Sequence, residues 1–420
     1  MTPRLPLEVL ERIIDDVAAH YDNVSSIKAC ALVCHSFLPP CRKRIFASVT
    51  LRAYSSPKSP KSEDLNHLLS NSPHLAVYIR NLAYYINEQE FVTERFLWLL
   101  PMFKKLVKLQ KLSITYFPPA PGRKLDWMSL STRKVLLALL HLPTLTSISL
   151  STIRNFPVAD LANCVNLKKL RIYSLECLIP NGVWNFLEAL PPTSAMLERL
   201  VIERGDIRPV QQLCHARRPD GKPIIDFSLL RKITAEVPRL DSMKELFGMC
   251  RNLRKIDLTS MFLLHLIIPH PFDPSHLVEH DSWESTSSLK GLFTMLRTSL
   301  PTLMNIHIEY YIDIDEDETY DGPLAGLCHE LEKMGGQNVV ETIKLQIWVQ
   351  QGGYDCTRWG ELDDVLMGSP ESWPALKEVF LSFNVITTSG DDSIDLKERL
   401  PMTKLVESKR VEFDFQVNEN

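Results

Sequence analysis

Leu167-Lys168-Lys169-Leu170-Arg171-Ile172 repeats, in its apolar positions, the earlier run Leu145-Thr146-Ser147-Ile148-Ser149-Leu150. Both read apolar-x-x-apolar-x-apolar, and the alternation that closes the phrase suits a short strand with one face buried. Toward the N-terminus the phrase returns as Leu109/Leu112/Ile114 and Ile79/Leu82/Tyr84. Toward the C-terminus it returns as Leu197/Leu200/Ile202, Leu230/Ile233/Ala235, Leu253/Ile256/Leu258, Leu303/Ile306/Ile308, Val340/Ile343/Leu345 and Leu376/Val379/Leu381.

Helical stretches lie between the phrases: 94–100, 132–140, 183–190, 243–249, 289–300, 324–334 and 362–367. Turns such as Leu142-Pro143-Thr144, Cys250-Arg251-Asn252, Leu300-Pro301-Thr302 and Trp373-Pro374-Ala375 lead back into the next strand. One strand and one helix cannot bury their apolar faces alone, so successive units must stack and share a core. A doubly wound α/β domain also alternates strands with helices, although ten units exceed its usual sheet and no glycine-rich phosphate loop is present. The array resembles the leucine-rich-repeat family, and that resemblance implies a solenoid. The family's asparagine, three residues after the last apolar position, stands only as Asn87 and Asn384; Phe117, Ile153, Leu175 and Tyr311 occupy it elsewhere.

The first fifty residues follow another period. Pro6 suits a first helical position and Glu8 a first turn, and Leu10, Ile13, Ile14 and Val17 then form one apolar stripe. Ser25 or Ser26 would cap a second helix carrying Ile27, Cys30, Ala31 and Cys34. Pro39-Pro40 interrupts, and a third short helix runs through Arg44, Ile45 and Phe46. Three helices this short cannot bury all their apolar surface among themselves, so a face is left for something else.

This segment resembles an F-box, through Leu5-Pro6-x-Glu8, Ile13-Ile14, Leu32-Val33-Cys34-His35-Ser36-Phe37 and Arg44-Ile45-Phe46. Its style is similar to the expanded F-box families of fungi, with Phe37 where many members carry tryptophan. The resemblance implies a Skp1-type adaptor as partner and, through it, the cullin scaffold of a ubiquitin ligase. It assigns adaptor contact or the shared helical core to Leu5, Pro6, Val9, Leu10, Ile13, Ile14, Leu32, Val33 and Phe37.

The expected architecture is therefore mixed α+β and α/β. Residues 1–50 form a three-helix F-box-like module and residues 51–420 an irregular leucine-rich-repeat array, with a connector at 54–62 and an insertion at 269–287. The expected role is a substrate-recruiting, non-enzymatic ligase subunit, its substrate unknown. A ubiquitin-independent scaffold is the alternative. Hydrophobic residues make up 45% and charged residues 23% of the chain, a folded profile. A formal net charge of −4 argues against a broad nucleic-acid-binding surface. Nine scattered cysteines and no secretory or membrane-spanning stretch point to reduced thiols in cytoplasm or nucleus.

Three constellations carry potential chemistry. His276, Glu279 and His280 match the H-x-x-E-H order of a zinc hydrolase, but prolines precede them and a Ser/Thr-rich stretch follows. Cys30, Cys34, His35 and Cys41 lack zinc-knuckle spacing. The acidic run from Asp313 to Glu318 imitates a calcium loop without its glycine and closing glutamate, and reads as a charged loop suited to a basic partner. No phosphate loop or nucleophile elbow occurs, so no cofactor or metal is expected. Trp348, Trp359 and Trp373 gather near the last repeats as core residues or an interface anchor.

Overall fold

The structure is a computed structural model, and it describes residues 6–19, 24–52, 62–86, 99–118, 122–130, 132–178, 193–203, 208–237, 243–260, 291–312, 323–350, 359–386 and 402–419. The chain divides into two compact units, Met1–Ala195 with Ala216–Ile224, and Met196–His215 with Ile225–Asn420.

The first unit opens with three helices, α1 (Leu7–Ala19), α2 (Val24–Val33) and α3 (Leu38–Ile45). A parallel sheet follows, with strands Ser48–Arg52, Asn81–Ile86, Lys111–Tyr116, Ser147–Phe156 and Lys169–Cys177 paired in that order. The second unit pairs Arg199–Glu203, Lys232–Val237, Lys255–Ser260, Asn305–Ile312, Thr342–Gln350, Glu378–Ile386 and Glu412–Glu419, again parallel and in chain order. Strand order that never reverses within a unit leaves no topological switch point, which excludes the doubly wound alternative.

Register explains why the phrase recurs. Leu82 faces Leu112, Leu112 faces Ile148, and Ile148 faces Leu170. In the second unit Ile256 faces Ile306, Ile306 faces Ile343, and Ile343 faces Val379. All thirty phrase positions are at most 4% exposed. Each leucine, isoleucine or valine among them contributes about 1.5–3 kcal/mol by leaving water. A slip of one residue in any strand would turn that whole set outward.

The backbone regularises the turn before each strand. The Arg80 carbonyl accepts N–H groups from Gln110 and Lys111 at 2.7 and 2.9 Å, and the Gln110 carbonyl accepts from Thr146 and Ser147 at 2.9 and 3.0 Å. Glu198, Arg231, Arg254, Met304 and Glu341 each accept two successive N–H groups in the same way. A paired carbonyl of this kind needs no particular side chain, so the stack stays regular where the family's asparagine is missing.

Buried and half-buried carboxylates tie neighbouring repeats on the helix side. Asp160 accepts the Trp127 indole N–H at 2.7 Å and pairs with Arg133 at 3.0 Å. Glu330, on helix Pro323–Met334, accepts the Phe293 N–H at the start of helix Leu292–Leu296 at 2.9 Å. Asp363, on helix Trp359–Met367, accepts the Lys404 and Leu405 N–H groups, each at 2.8 Å, at the start of helix Thr403–Glu407. Glu330 and Asp363 satisfy orphan backbone donors that a short helix cannot satisfy itself.

Several boundaries differ from the sequence expectation. Pro39 and Pro40 begin α3 rather than interrupting it, because the first turn of a helix has no use for their missing N–H groups. Helix α2 starts at Val24, which places Ser25 and Ser26 inside it rather than at its cap. Pro6 stands just before α1, where its carbonyl accepts the Val9 and Leu10 N–H groups. The helix expected over 289–300 spans Leu292–Leu296, started by Gly291 at φ 90°. Ser62 belongs to a helix, Ser62–Asn71, rather than to the 54–62 connector. Helix Arg208–His215 and the outermost strands, Ser48–Arg52 and Glu412–Glu419, had no counterpart among the expected elements. The remainder of the connector, the helix at 183–190, Asn87 and the 269–287 insertion lie outside the described residues.

Candidate partner-binding surface

Helices α1 to α3 close around a small core of Ile14, Ile27 and Cys41, with Val17, Ala18, Cys30, Ala31, Phe37 and Ile45 packed against it. Two ion pairs clamp α3 to α1: Lys43 with Glu11 at 3.0 Å, and Arg44 with Asp15. Lys43 and Arg44 thus lend their charges to the module's own closure. Both pairs are exposed and add little to stability. The module joins the first repeat through the Ala47 carbonyl, which accepts the Arg80 and Asn81 N–H groups, each at 2.9 Å.

With that core closed, large apolar side chains remain outside. Leu7, Val9, Ile13, Val24, Leu32 and Val33 are all exposed, Leu32 at 88% and Val33 at 71%. Pro6, Val9 and Ile13 follow one another at i, i+3 and i+7, one face of α1 beside the buried Leu10 and Ile14. The nine residues singled out in the sequence are therefore sorted by the fold. Pro6, Val9, Ile13, Leu32 and Val33 lie at the surface, while Leu10 and Ile14 are buried and Phe37 packs half-buried on the core. Leu5 lies outside the described residues. Leu7 and Val24 were not singled out; only the exposed side of each helix reveals them.

Elsewhere the site candidates separate. Cys41 is buried, Cys30 packs beside it, and Cys34 and His35 are exposed. Burial, with a smaller contribution from Cys30, raises the Cys41 thiol above its ordinary range. None of the eight cysteines of the described residues forms a disulfide. No group of three or more His, Cys, Asp or Glu is placed to hold a metal among the described residues. His276, Glu279, His280 and the acidic run Asp313 to Glu318 fall outside them. Trp359 and Trp373 are fully buried, whereas Trp348 lies half-buried on the other sheet face with its indole N–H on Glu309 at 2.9 Å. None of the helices among the described residues is long and apolar enough to cross a membrane.

No family model matches this chain, and no curated protein matches it. Among solved structures, an internalin from Listeria monocytogenes is similar at 10% identity, covering 96% of each chain with a TM-score of 0.32. The strand register, not this likeness, defines the fold.

Proposed function

We propose that this chain is a substrate-recruiting subunit of a ubiquitin ligase. The helical module docks on a Skp1-type adaptor, which links it to a cullin scaffold, and the repeats hold a protein substrate. One observation carries the reading: a module of three short helices completes its own core and still exposes six large apolar side chains. Isolated exposed apolar residues are ordinary, but a concentration of them on one small module marks a surface that another protein covers. The F-box resemblance supplies the identity of that protein. The chain itself contributes proximity and orientation, and bond-making belongs to other subunits.

Leu32→Asp and Val33→Asp test this cleanly, because both side chains are exposed and neither supports the core. Each places a charge in an apolar contact and is expected to abolish co-purification with the adaptor while leaving the unfolding midpoint unchanged. Undiminished co-purification of both variants would remove α2 from the docking surface. The ubiquitin-independent scaffold predicts partners whose abundance does not change when this chain is lost.

A further inference from the structure

The sheet face opposite the helices has a distinct chemistry over the last four strands, Asn305–Ile312, Thr342–Gln350, Glu378–Ile386 and Glu412–Glu419. Its described positions include four carboxylates, Glu309, Glu378, Glu412 and Asp414, against a single lysine, Lys344. In the strands of the first unit the corresponding positions, from Ser48 to Tyr173, carry no carboxylate. In the three preceding strands of the second unit the same face carries Glu203, Glu236 and Asp257 against Arg199, Lys232 and Lys255, so the acidic excess belongs to the last four strands. In the chain, the run Asp313-Ile314-Asp315-Glu316-Asp317-Glu318 follows directly on the first of these four strands.

Two aromatic rings interrupt the acids. The Trp348 indole is held by its N–H on Glu309, whose other oxygen accepts the Thr259 hydroxyl at 3.3 Å. That bond fixes the ring and leaves its half-buried face as a platform. Phe380, also half-buried, already has an occupant: the Lys344 ammonium stands 5.5 Å from its centroid and 3.1 Å from Glu378. The face therefore seats one cation between a ring and a carboxylate in the free chain.

We infer that this face binds a basic segment of a partner protein, with one arginine or lysine seated against Trp348 and others, further along the segment, paired with Glu412 and Asp414. Cation–π contact at the ring and opposite charge at the acids both favour basic side chains, and the excess of carboxylates disfavours nucleic acid. The inference deepens the reading of the repeats as the substrate-holding half. It stands apart from adaptor docking, which uses other residues.

Fluorescence anisotropy of the full chain with a labelled peptide of alternating arginine and serine tests it, beside a peptide of alternating glutamate and serine. Wild type is expected to bind only the basic peptide, and more weakly as salt rises. A Glu412→Lys, Asp414→Lys double variant should weaken binding by about tenfold or more, whereas Lys111→Glu in the first unit should not weaken it. Trp348→Ala gives a second, uncharged variant with the same expected direction. Failure of the basic peptide to bind, equal binding of the acidic one, or wild-type affinity in both the double variant and Trp348→Ala would overturn the inference. Adaptor co-elution should persist in these variants, so losing one property leaves the other standing.

Discussion

Ile13 and Ile14 are adjacent in sequence and opposite in environment: Ile14 has no exposed surface, whereas Ile13 is 39% exposed. Ile14→Ala should therefore cost about 2–5 kcal/mol, through lost burial and the cavity it leaves. Ile13→Ala should cost clearly less, about 1 kcal/mol. Chemical denaturation of the two variants side by side reads the difference directly. The buried acids make a second residue-scale claim. Burial alone would raise the Glu330 pKa, but the Lys333 hydrogen bond, the Phe293 and Gly291 N–H groups and the Lys333 charge together hold it below the ordinary 4.5. A depressed folded-state pKa gives stability that is present above the unfolded value and is lost as pH falls through the folded one. Glu330→Gln should accordingly lower stability at neutral pH and flatten its decline below about pH 4.5 in acid titrations of the melting midpoint. Asp363→Ala should cost about 1–3 kcal/mol, since it strands the Lys404 and Leu405 donors. Faster hydrogen exchange at those two amides would confirm the cause.

At the scale of elements, the repeat was legible because thirty apolar positions share one periodicity and every one of them is buried. The missed strands show where that template stops. Phe46, Val49 and Leu51 satisfy the phrase, but Phe46 also reads as the end of a helix and was spent there. Before Glu412–Glu419 the leading apolar position is Arg410, whose guanidinium donates to the Trp373 carbonyl at 3.0 Å instead of entering the core. The carboxylate ties were equally hidden, because Glu330 and Asp363 look like surface acids on amphipathic helices until neighbouring repeats are stacked. The exposed apolar edge was half legible. Helical spacing marked the α1 stripe, but only the closed core separates Ile13 from Ile14. No periodic signal predicts the left-handed residues Thr152 at φ 60° and Ser174 at φ 47°, which lie between the paired positions Ser151/Tyr173 and Ile153/Leu175. A β-branched residue is disfavoured there by about 1–2 kcal/mol, more than glycine's entropic cost. Thr152→Gly should thus raise the melting midpoint rather than lower it, a result that calorimetry decides.

For the whole chain, the division of labour is chemical. Three helices leave apolar side chains exposed, and the repeats bury theirs and present polar, charged and aromatic side chains on the opposite sheet face. Among the described residues no group of three or more His, Cys, Asp or Glu is placed to hold a metal. Co-expression with a Skp1-type adaptor, followed by size-exclusion chromatography of wild type beside Ile13→Asp, tests the docking claim most directly. One shared peak is expected for wild type and separate peaks for Ile13→Asp, with both chains cooperatively folded. A wild-type chain that elutes without the adaptor would contradict the docking claim and leave the helices as a cap on a scaffold.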